Sequence, residues 1–223
     1  MTKTELMSTM NNPAHSILYI EASPRKERSA SIEVANALIA SLKRRYTRAQ
    51  VQTLDVWDIT LPEVTGHVLE AKYAGLAGVE LSGEQAQAWA IVEGIAAQFK
   101  AADTLVFAIP LWNFGIPYKL KHLIDVVTQK DVLFGFDETG FNGMLRNQQA
   151  CVVYARGLNF SPTSDTPAGS YDFQKPYIDM WLRFIGIRDI HTLIVEKTIF
   201  DAETDKAARA AAISEVDKLV AAL

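Results

Sequence analysis

The 223-residue sequence lacks several features that mark large classes of proteins. Cys151 is its one cysteine, which excludes an intramolecular disulfide and a cysteine-based zinc site. No run of about 18 apolar residues is present, so no membrane-spanning helix is expected. Residues 1–15 have no apolar segment of the secretory-signal type. Together these absences predict a cytoplasmic protein, in a compartment that keeps thiols reduced.

A surplus of positive charge is also missing. The chain has 22 lysine and arginine residues against 26 aspartate and glutamate residues, which leaves a net charge of −4. Nucleic-acid duplexes and anionic membrane surfaces are bound through basic patches, so we expect neither as a partner. The four histidines show no metal-binding spacing such as HExxH, so no metal site is expected either.

What is present is a regular alternation of two kinds of segment. Short runs rich in isoleucine, valine, leucine and aromatic residues predict buried strands at residues 16–22, 51–56, 104–110, 150–155 and 190–195. Strands that alternate with helices form a parallel sheet with right-handed crossovers. The sequence therefore predicts a flavodoxin-like, doubly wound α/β sandwich, with a five-stranded parallel sheet and helices on both faces. A single domain over residues 16–223 follows a loose N-terminal arm, residues 1–15.

The stretches between the strands have the periodicity and end signals of helices. Residues 31–46 keep one apolar face, and Ser82 with Gln85 has the capping-box form. Pro117 suits a first helical turn, and Asp201 can cap a last helix that runs to the C-terminus. A further helix ends before a glycine at position 186 and predicts an apolar face of four aromatic residues, which are Phe173, Tyr177, Trp181 and Phe184.

The loop after the first strand has the chemistry of an anion site. In doubly wound folds, ligands bind at the carboxyl ends of the strands. Here residues 23–31 bring three hydroxyls and free backbone N–H groups to a helix N-terminus, whose dipole favours negative charge. Arg25, Lys26 and Arg28 add positive potential. The loop lacks both the GxxxxGK[ST] and the GxGxxG patterns. An alternative is that its serines only cap the helix.

The loop after the third strand points to a flat aromatic ligand. Residues 110–117 hold two aromatic side chains, one amide and one glycine between two prolines, which stiffen the backbone. Exposed rings on a rigid backbone suit stacking against a planar heterocycle. Trp112 and Phe114 are equally well explained as core residues, whereas Asn113 is harder to explain as packing.

These two loops resemble the FMN-dependent NADH azoreductase family, a branch of the flavodoxin-like quinone reductases. The most specific part is PLWNFGIPYKLKHLID, which follows the serine loop, and the likeness continues through TGFNGML, YARG and PYIDMWLRFIGI over about residues 16–195. The resemblance implies tight, noncovalent FMN. It assigns the phosphate to Ser23, Ser29, Ala30 and Ser31, the ring to Leu111, Trp112, Asn113 and Phe114, preceded by Pro110, and the pyrimidine side of the ring to Ala155, Arg156, Gly157 and Leu158.

The same resemblance implies an activity. NADH or NADPH would reduce quinones and azo compounds by two electrons, in a ping-pong hydride transfer through bound FMN, with no catalytic side chain. It also implies a homodimer with the flavin pockets at the interface. Phe134, Phe136 and the connection over residues 57–81 are candidate walls of those pockets.

The sequence departs from the family pattern at a few positions. Ala30 and Ala155 stand where polar or hydroxyl residues are frequent, Phe141 replaces a proline, and no glycine occurs near residues 195–198. Two other functions remain open from the residues. One is an NAD(P)H:FMN reductase that releases reduced flavin, and the other is a flavodoxin-type electron carrier. A flavin-free relative is disfavoured by the combination of the loops.

Overall fold

The computed structural model describes residues 14–63 and 82–223 of the chain. Its strands are β1 (His15–Glu21), β2 (Ala49–Asp55), β3 (Thr104–Pro110), β4 (Phe134–Asp137), β5 (Gly140–Gly143), β6 (Gln149–Ala155) and β7 (Asp189–Val195). Its helices are α1 (Ala30–Arg45), α2 (Gly83–Ala101), α3 (Tyr118–Val127), α4 (Ala168–Tyr171), α5 (Gln174–Phe184), α6 (Ala202–Ser214) and α7 (Val216–Ala222). Residues 1–13 of the predicted arm lie outside the described residues, and His15 already belongs to β1.

The central sheet has five parallel strands in the order β2-β1-β3-β6-β7. This order confirms the predicted doubly wound topology, and each predicted strand agrees with the structure to within about two residues. β3 and β6 pair with each other at the centre of the sheet, where nearly all their residues are buried. Strands covered on both faces must be apolar on both faces, which explains their continuous apolar sequence.

Helices cover both faces of the sheet and create two separate cores. On one face α2, α3 and α5 bury residues such as Phe99, Leu123 and Trp181 against the sheet. On the other face α1, α6 and α7 bury residues such as Leu38 and Val216, together with Cys151. Burial raises the pKa of the Cys151 thiol to about 12, so this cysteine behaves as a small core residue. None of the described helices is both long and apolar enough to cross a membrane.

Most helix signals act as the sequence indicates. Ser82 and Gln85 form the reciprocal capping box of α2, and the Asp201 side chain accepts a hydrogen bond from the Thr204 N–H at the start of α6. Pro117 is the residue before α3 rather than its first helical residue. The last predicted helix is divided at Glu215 into α6 and α7.

The apolar face predicted for α5 is wrong at its first position. Phe173 precedes the helix and is 65% exposed. Trp181 is buried as expected, but its neighbours in the core are Ile178 and Leu182. Tyr177 and Phe184 are partly buried and pack against the same core, so three of the four aromatic residues lie on the predicted face.

The long connection over residues 130–147 contains a small antiparallel hairpin, β4–β5. A side chain at Gly143 would place its Cβ 2.2 Å from the backbone nitrogen of Gly186, so only glycine fits there. Gly186 has φ +113°, as expected for a glycine that ends a helix. The hairpin residues Phe134 and Phe141 pack against Phe184 of α5.

Candidate functional site

A cavity of about 250 Å³ opens at the carboxyl edge of the sheet. Loops that follow β1, β3 and β6 line it, and these are the three loops in which the sequence analysis places ligand-binding residues. β1, β3 and β6 are neighbours in the sheet, so parallel pairing brings their ends together. Ten of the thirteen predicted site residues line the cavity: Ser23, Ser29, Ala30, Pro110, Leu111, Trp112, Phe114, Ala155, Gly157 and Leu158.

One end of this cavity is the N-terminus of α1. Ser29 is the N-cap residue, but its side chain makes no capping hydrogen bond. Its hydroxyl pairs instead with that of Ser31, with 3.1 Å between the oxygens, and both serines are buried. The first intrahelical bond is donated by the Glu33 N–H, so the amides of the first helical turn have no acceptor within the helix. These amides, together with the helix dipole, favour an anion at this end.

The three basic residues of this loop do not share the role predicted for them. Arg25 lines the cavity, whereas Lys26 binds Glu21 at 2.7 Å and also Asp55. Burial opposes the charge of Lys26, but the hydrogen bonds to Asp55 and Glu21 outweigh it and raise its pKa to about 12. Lys26 therefore ties the loop to the ends of β1 and β2 and contributes little free charge to the anion site.

The other end of the cavity is built on a tight turn after β3. Trp112 and Gly115 exchange backbone hydrogen bonds of 3.1 and 2.9 Å. Between them, Asn113 and Phe114 adopt left-handed φ values of 46° and 67°, which are uncommon for residues other than glycine. Neither of their amides donates to a partner among the residues that the structure describes. The turn thus presents two rings, Trp112 and Phe114, on a backbone held in a sparsely populated conformation.

Trp57 supports this turn from behind. Its ring lies 5.6 Å from that of Trp112, and its indole N–H donates to the Ala22 carbonyl at 3.1 Å. Trp57 begins the connection that was a candidate wall, of which residues 64–81 lie outside the described residues. Trp57 packs against the aromatic end of the cavity, while the role of the connection as a wall stays a prediction.

The turn after β6 offers backbone amides to the cavity, whereas the side chain of its arginine does not line it. The Arg156 side chain is 3% exposed and pairs with Asp172 and, at 2.9 Å, with Glu196. It points into the protein and does not line the cavity. The amides of Gly157 and Leu158 have no acceptor in the described part of the chain and are available to a ligand.

A segment after β7 forms a further part of the cavity lining, and the sequence analysis did not identify it. The Lys197 N–H donates to the Leu158 carbonyl at 3.1 Å, and the Thr198 N–H donates to the Arg156 carbonyl at 3.3 Å. These bonds bring Thr198 and Ile199 to the cavity, where Phe160 and Arg209 also lie. Thr198, Ile199 and Arg209 come from segments that are distant in sequence from the predicted loops, whereas Phe160 follows Leu158 by two residues and carries no local motif.

Three predicted site residues do not line the cavity. Ser31 is fully buried, Asn113 is not among the lining residues, and Arg156 pairs with buried Asp172. Ser31 contacts the site through its hydrogen bond to Ser29, and Arg156 holds the turn after β6 through its ion pairs. For Ser31 and Arg156 the chain position is near the site, but the side chain serves to support it.

The residues present fit a phosphorylated, planar heterocycle such as FMN. Unpaired amides, two buried hydroxyls and two arginines, Arg25 and Arg209, stand at one end, while aromatic and apolar side chains stand at the other. Both ends belong to one continuous cavity. Among residues 14–63 and 82–223, no group of three or more histidine, cysteine or acidic side chains could hold a metal ion.

Comparison with known proteins agrees with this chemistry. A family profile described as a flavodoxin-like fold matches residues 15–220. The FMN-dependent NADH:quinone oxidoreductase 9 of Burkholderia lata is 51% identical over 83% of this chain and 89% of its own length. The FMN-dependent NADH:quinone oxidoreductase 3 of Pseudomonas fluorescens is 50% identical over 91% of this chain and 94% of its own.

Solved structures show the same architecture. An azoreductase from Bacillus anthracis superposes with a TM-score of 0.84 at 25% identity, over 94% of this chain and all of its own. An FMN-dependent NADH-azoreductase from Bacillus anthracis, solved in complex with FMN, superposes with a TM-score of 0.80 at 26% identity. That match covers 92% of this chain and 99% of the other.

Proposed function

The chain belongs to the family of flavodoxin-like proteins whose profile spans residues 15–220, and from that membership we propose that it is an FMN-dependent NADH:quinone oxidoreductase that also reduces azo compounds. The observation that carries the proposal is one cavity that joins an anion end to an aromatic end, at the carboxyl edge of the sheet. Relatives of about 50% identity are named FMN-dependent NADH:quinone oxidoreductases, and two of the superposed structures are of azoreductases.

Residues at the two ends of the cavity would bind different parts of FMN. At the anion end, the first-turn amides of α1, the hydroxyls of Ser23 and Ser29 and the Arg25 guanidinium would bind the phosphate. At the other end, the turn from Leu111 to Phe114 and the amides of Gly157 and Leu158 would hold the ring. Bound FMN supplies two-electron chemistry, accepting a hydride from NADH and reducing a quinone or azo acceptor.

The chain itself supplies orientation and fixed dipoles rather than acid–base chemistry. No histidine, cysteine, lysine or carboxylate side chain lines the cavity within the described residues. Backbone N–H groups held by a rigid turn stabilise negative charge without having to reorganise. The protein's contribution would therefore be a preorganised set of donors.

An anaerobic reduction experiment tests the activity. The full-length protein is loaded with FMN, freed of excess and mixed with NADH while the yellow flavin absorbance is followed. We expect the absorbance to bleach and to return when a quinone is added. If neither NADH nor NADPH bleaches retained flavin, the protein is a carrier and the proposal fails. If flavin leaves the protein during turnover, the FMN reductase alternative is correct. If FMN is not retained at all, the site is wrong.

A homodimer is the second part of the proposal. Phe114, Tyr118 and Phe173 are 41%, 64% and 65% exposed around the cavity mouth and an adjoining groove of about 660 Å³. A concentration of exposed aromatic residues marks an interaction surface. The occupant that we infer is a second copy of this chain, which would close the open side of both cavities.

The mass in solution tests the dimer. Light scattering should give twice the 24.7 kDa of the chain. Replacing Phe173 with glutamate should shift the mass to that of one chain, because a charge would be buried in the contact. Ile194→Glu, on the exposed part of edge strand β7, is the matched control and should remain dimeric. A monomer in the unaltered protein would contradict the dimer but not the redox activity.

We also place the protein in the cytoplasm. Its one thiol is fully buried and unpaired, as is usual in a compartment that keeps cysteines reduced. The names of the relatives give NADH as the donor, and NADH is an intracellular metabolite.

A further inference from the structure

Arg209 reaches the anion end of the cavity from the opposite end of the chain. It lies on α6, and its side chain lines the cavity beside Ser29 and Arg25. Its guanidinium is 15% exposed and makes three hydrogen bonds. These go to Asp205 at 2.8 Å, Glu33 at 2.7 Å and the backbone carbonyl of Arg28 at 3.3 Å.

We propose that Arg209 binds the phosphate of FMN and makes the site selective for the phosphorylated flavin over riboflavin. This inference rests on the proposed function, because it names a further residue of the same FMN site. Neither the sequence motifs nor the family resemblance assigns Arg209 a role.

Arg209 has N–H donors that no protein group among the described residues uses, and these can bind an anion. A guanidinium carries five N–H donors, and three of them are used by Asp205, Glu33 and the Arg28 carbonyl. Two donors are left. Neither Asp205 nor Glu33 lines the cavity, so the two remaining donors are the part of the guanidinium open to a ligand there. A planar guanidinium presents its N–H donors in a fork that matches phosphate oxygens.

The two carboxylates hold Arg209 in place before any ligand arrives. Asp205 is one turn away on the same helix, and Glu33 is in the first turn of α1. Their hydrogen bonds, that of Asp205 foremost, raise the pKa of Arg209 above its ordinary value, so its charge is permanent. A side chain fixed in this way loses little rotamer entropy on binding. Arg209 thus links α6 to the loop that precedes α1.

Equilibrium binding to the full-length chain stripped of flavin tests this role. We expect Arg209→Met to weaken FMN binding by about 10- to 100-fold, the loss of one charge-assisted hydrogen bond, and to leave riboflavin binding unchanged. The FMN affinity of Arg209→Lys should lie between those of Arg209→Met and the unaltered protein, because lysine keeps the charge but not the planar fork. Lys206→Met is the matched control, since it removes the same charge from an exposed position on α6 and should leave FMN affinity unaltered.

A second substitution separates direct binding from support of the loop. Glu33→Gln removes one carboxylate from Arg209 and should leave FMN affinity equal or tighter if the guanidinium binds the phosphate. A loss as large as that of Arg209→Met would show that the pair only supports the loop and would overturn the inference. Equal FMN affinity in Arg209→Met and the unaltered protein would also overturn it. Failure of the unaltered protein to bind FMN is the distinct result that removes the proposed function itself.

Discussion

Replacing Ser29 with aspartate is expected to weaken FMN binding at least about 100-fold without lowering the stability of the fold. Ser29 is the N-cap residue of α1, lines the anion end of the cavity and makes no capping hydrogen bond. Aspartate is as good an N-cap residue as serine, so the helix should not suffer. A carboxylate at this position, however, would occupy the free amides and repel a phosphate at close range.

Binding of two flavins and thermal unfolding measure the effect. The affinity for FMN should fall steeply, whereas riboflavin, which lacks the phosphate, should lose much less. Ser82→Asp provides the matched control, because it introduces the same residue at the N-cap of α2, which does not line the cavity. If Ser29→Asp binds FMN as tightly as Ser82→Asp does, the phosphate is not held at the N-terminus of α1.

Replacing Arg156 with methionine should lower the free energy of unfolding by about 3–5 kcal/mol. Arg156 is 3% exposed and pairs with Asp172, which is also buried, and with Glu196 at 2.9 Å. The Asp172 carboxylate further accepts hydrogen bonds from the amides of Gln174 and Lys175 at the start of α5. Without the arginine, a buried carboxylate would lose its countercharge, which costs far more than losing a surface pair.

Urea unfolding followed by circular dichroism compares this substitution with an exposed one. Arg44→Met breaks an ion pair with Asp217 whose side chains are 63% and 76% exposed, and should cost far less than Arg156→Met, because water screens exposed charges. The double variant Arg156→Met with Asp172→Asn should recover part of the loss, because the unpaired charge is removed. Equal costs for Arg156→Met and Arg44→Met would mean that the buried ion pairs do not hold the turn after β6.

These two residues illustrate how far the sequence predicts the site. Ser29 lines the cavity, and serines between a buried strand and a helix start are a local pattern that the sequence shows, while its role toward a phosphate stays a prediction. Arg156 was assigned to the ligand by its place in the YARG turn, yet its partners, Asp172 and Glu196, are 16 and 40 residues away. A side chain's direction depends on such partners, and local spacing does not reveal them.

The fold was predictable almost entirely from the sequence. Apolar runs located all five strands of the central sheet, and their alternation with helices implied the parallel, doubly wound order. The β4–β5 hairpin was not predicted, since its four-residue strands carry glycines that conceal the strand pattern. The apolar face of α5 was wrong only at Phe173, which has the spacing of the face but precedes the helix and is exposed.

The sequence by itself determined the topology of the chain and the three loops that meet at one edge of the sheet. Those features follow from hydrophobic periodicity, which is a local property, and from the geometry of parallel strands. The tertiary structure alone decided which charged side chains face the cavity. It tied Lys26 to Glu21 and Asp55, turned Arg156 inward and brought Arg209 from α6 to the anion end. The physical reason is that a long charged side chain takes the direction of its partners, and some of these come from distant parts of the chain, as Asp172 and Glu196 do for Arg156 and Glu33 does for Arg209.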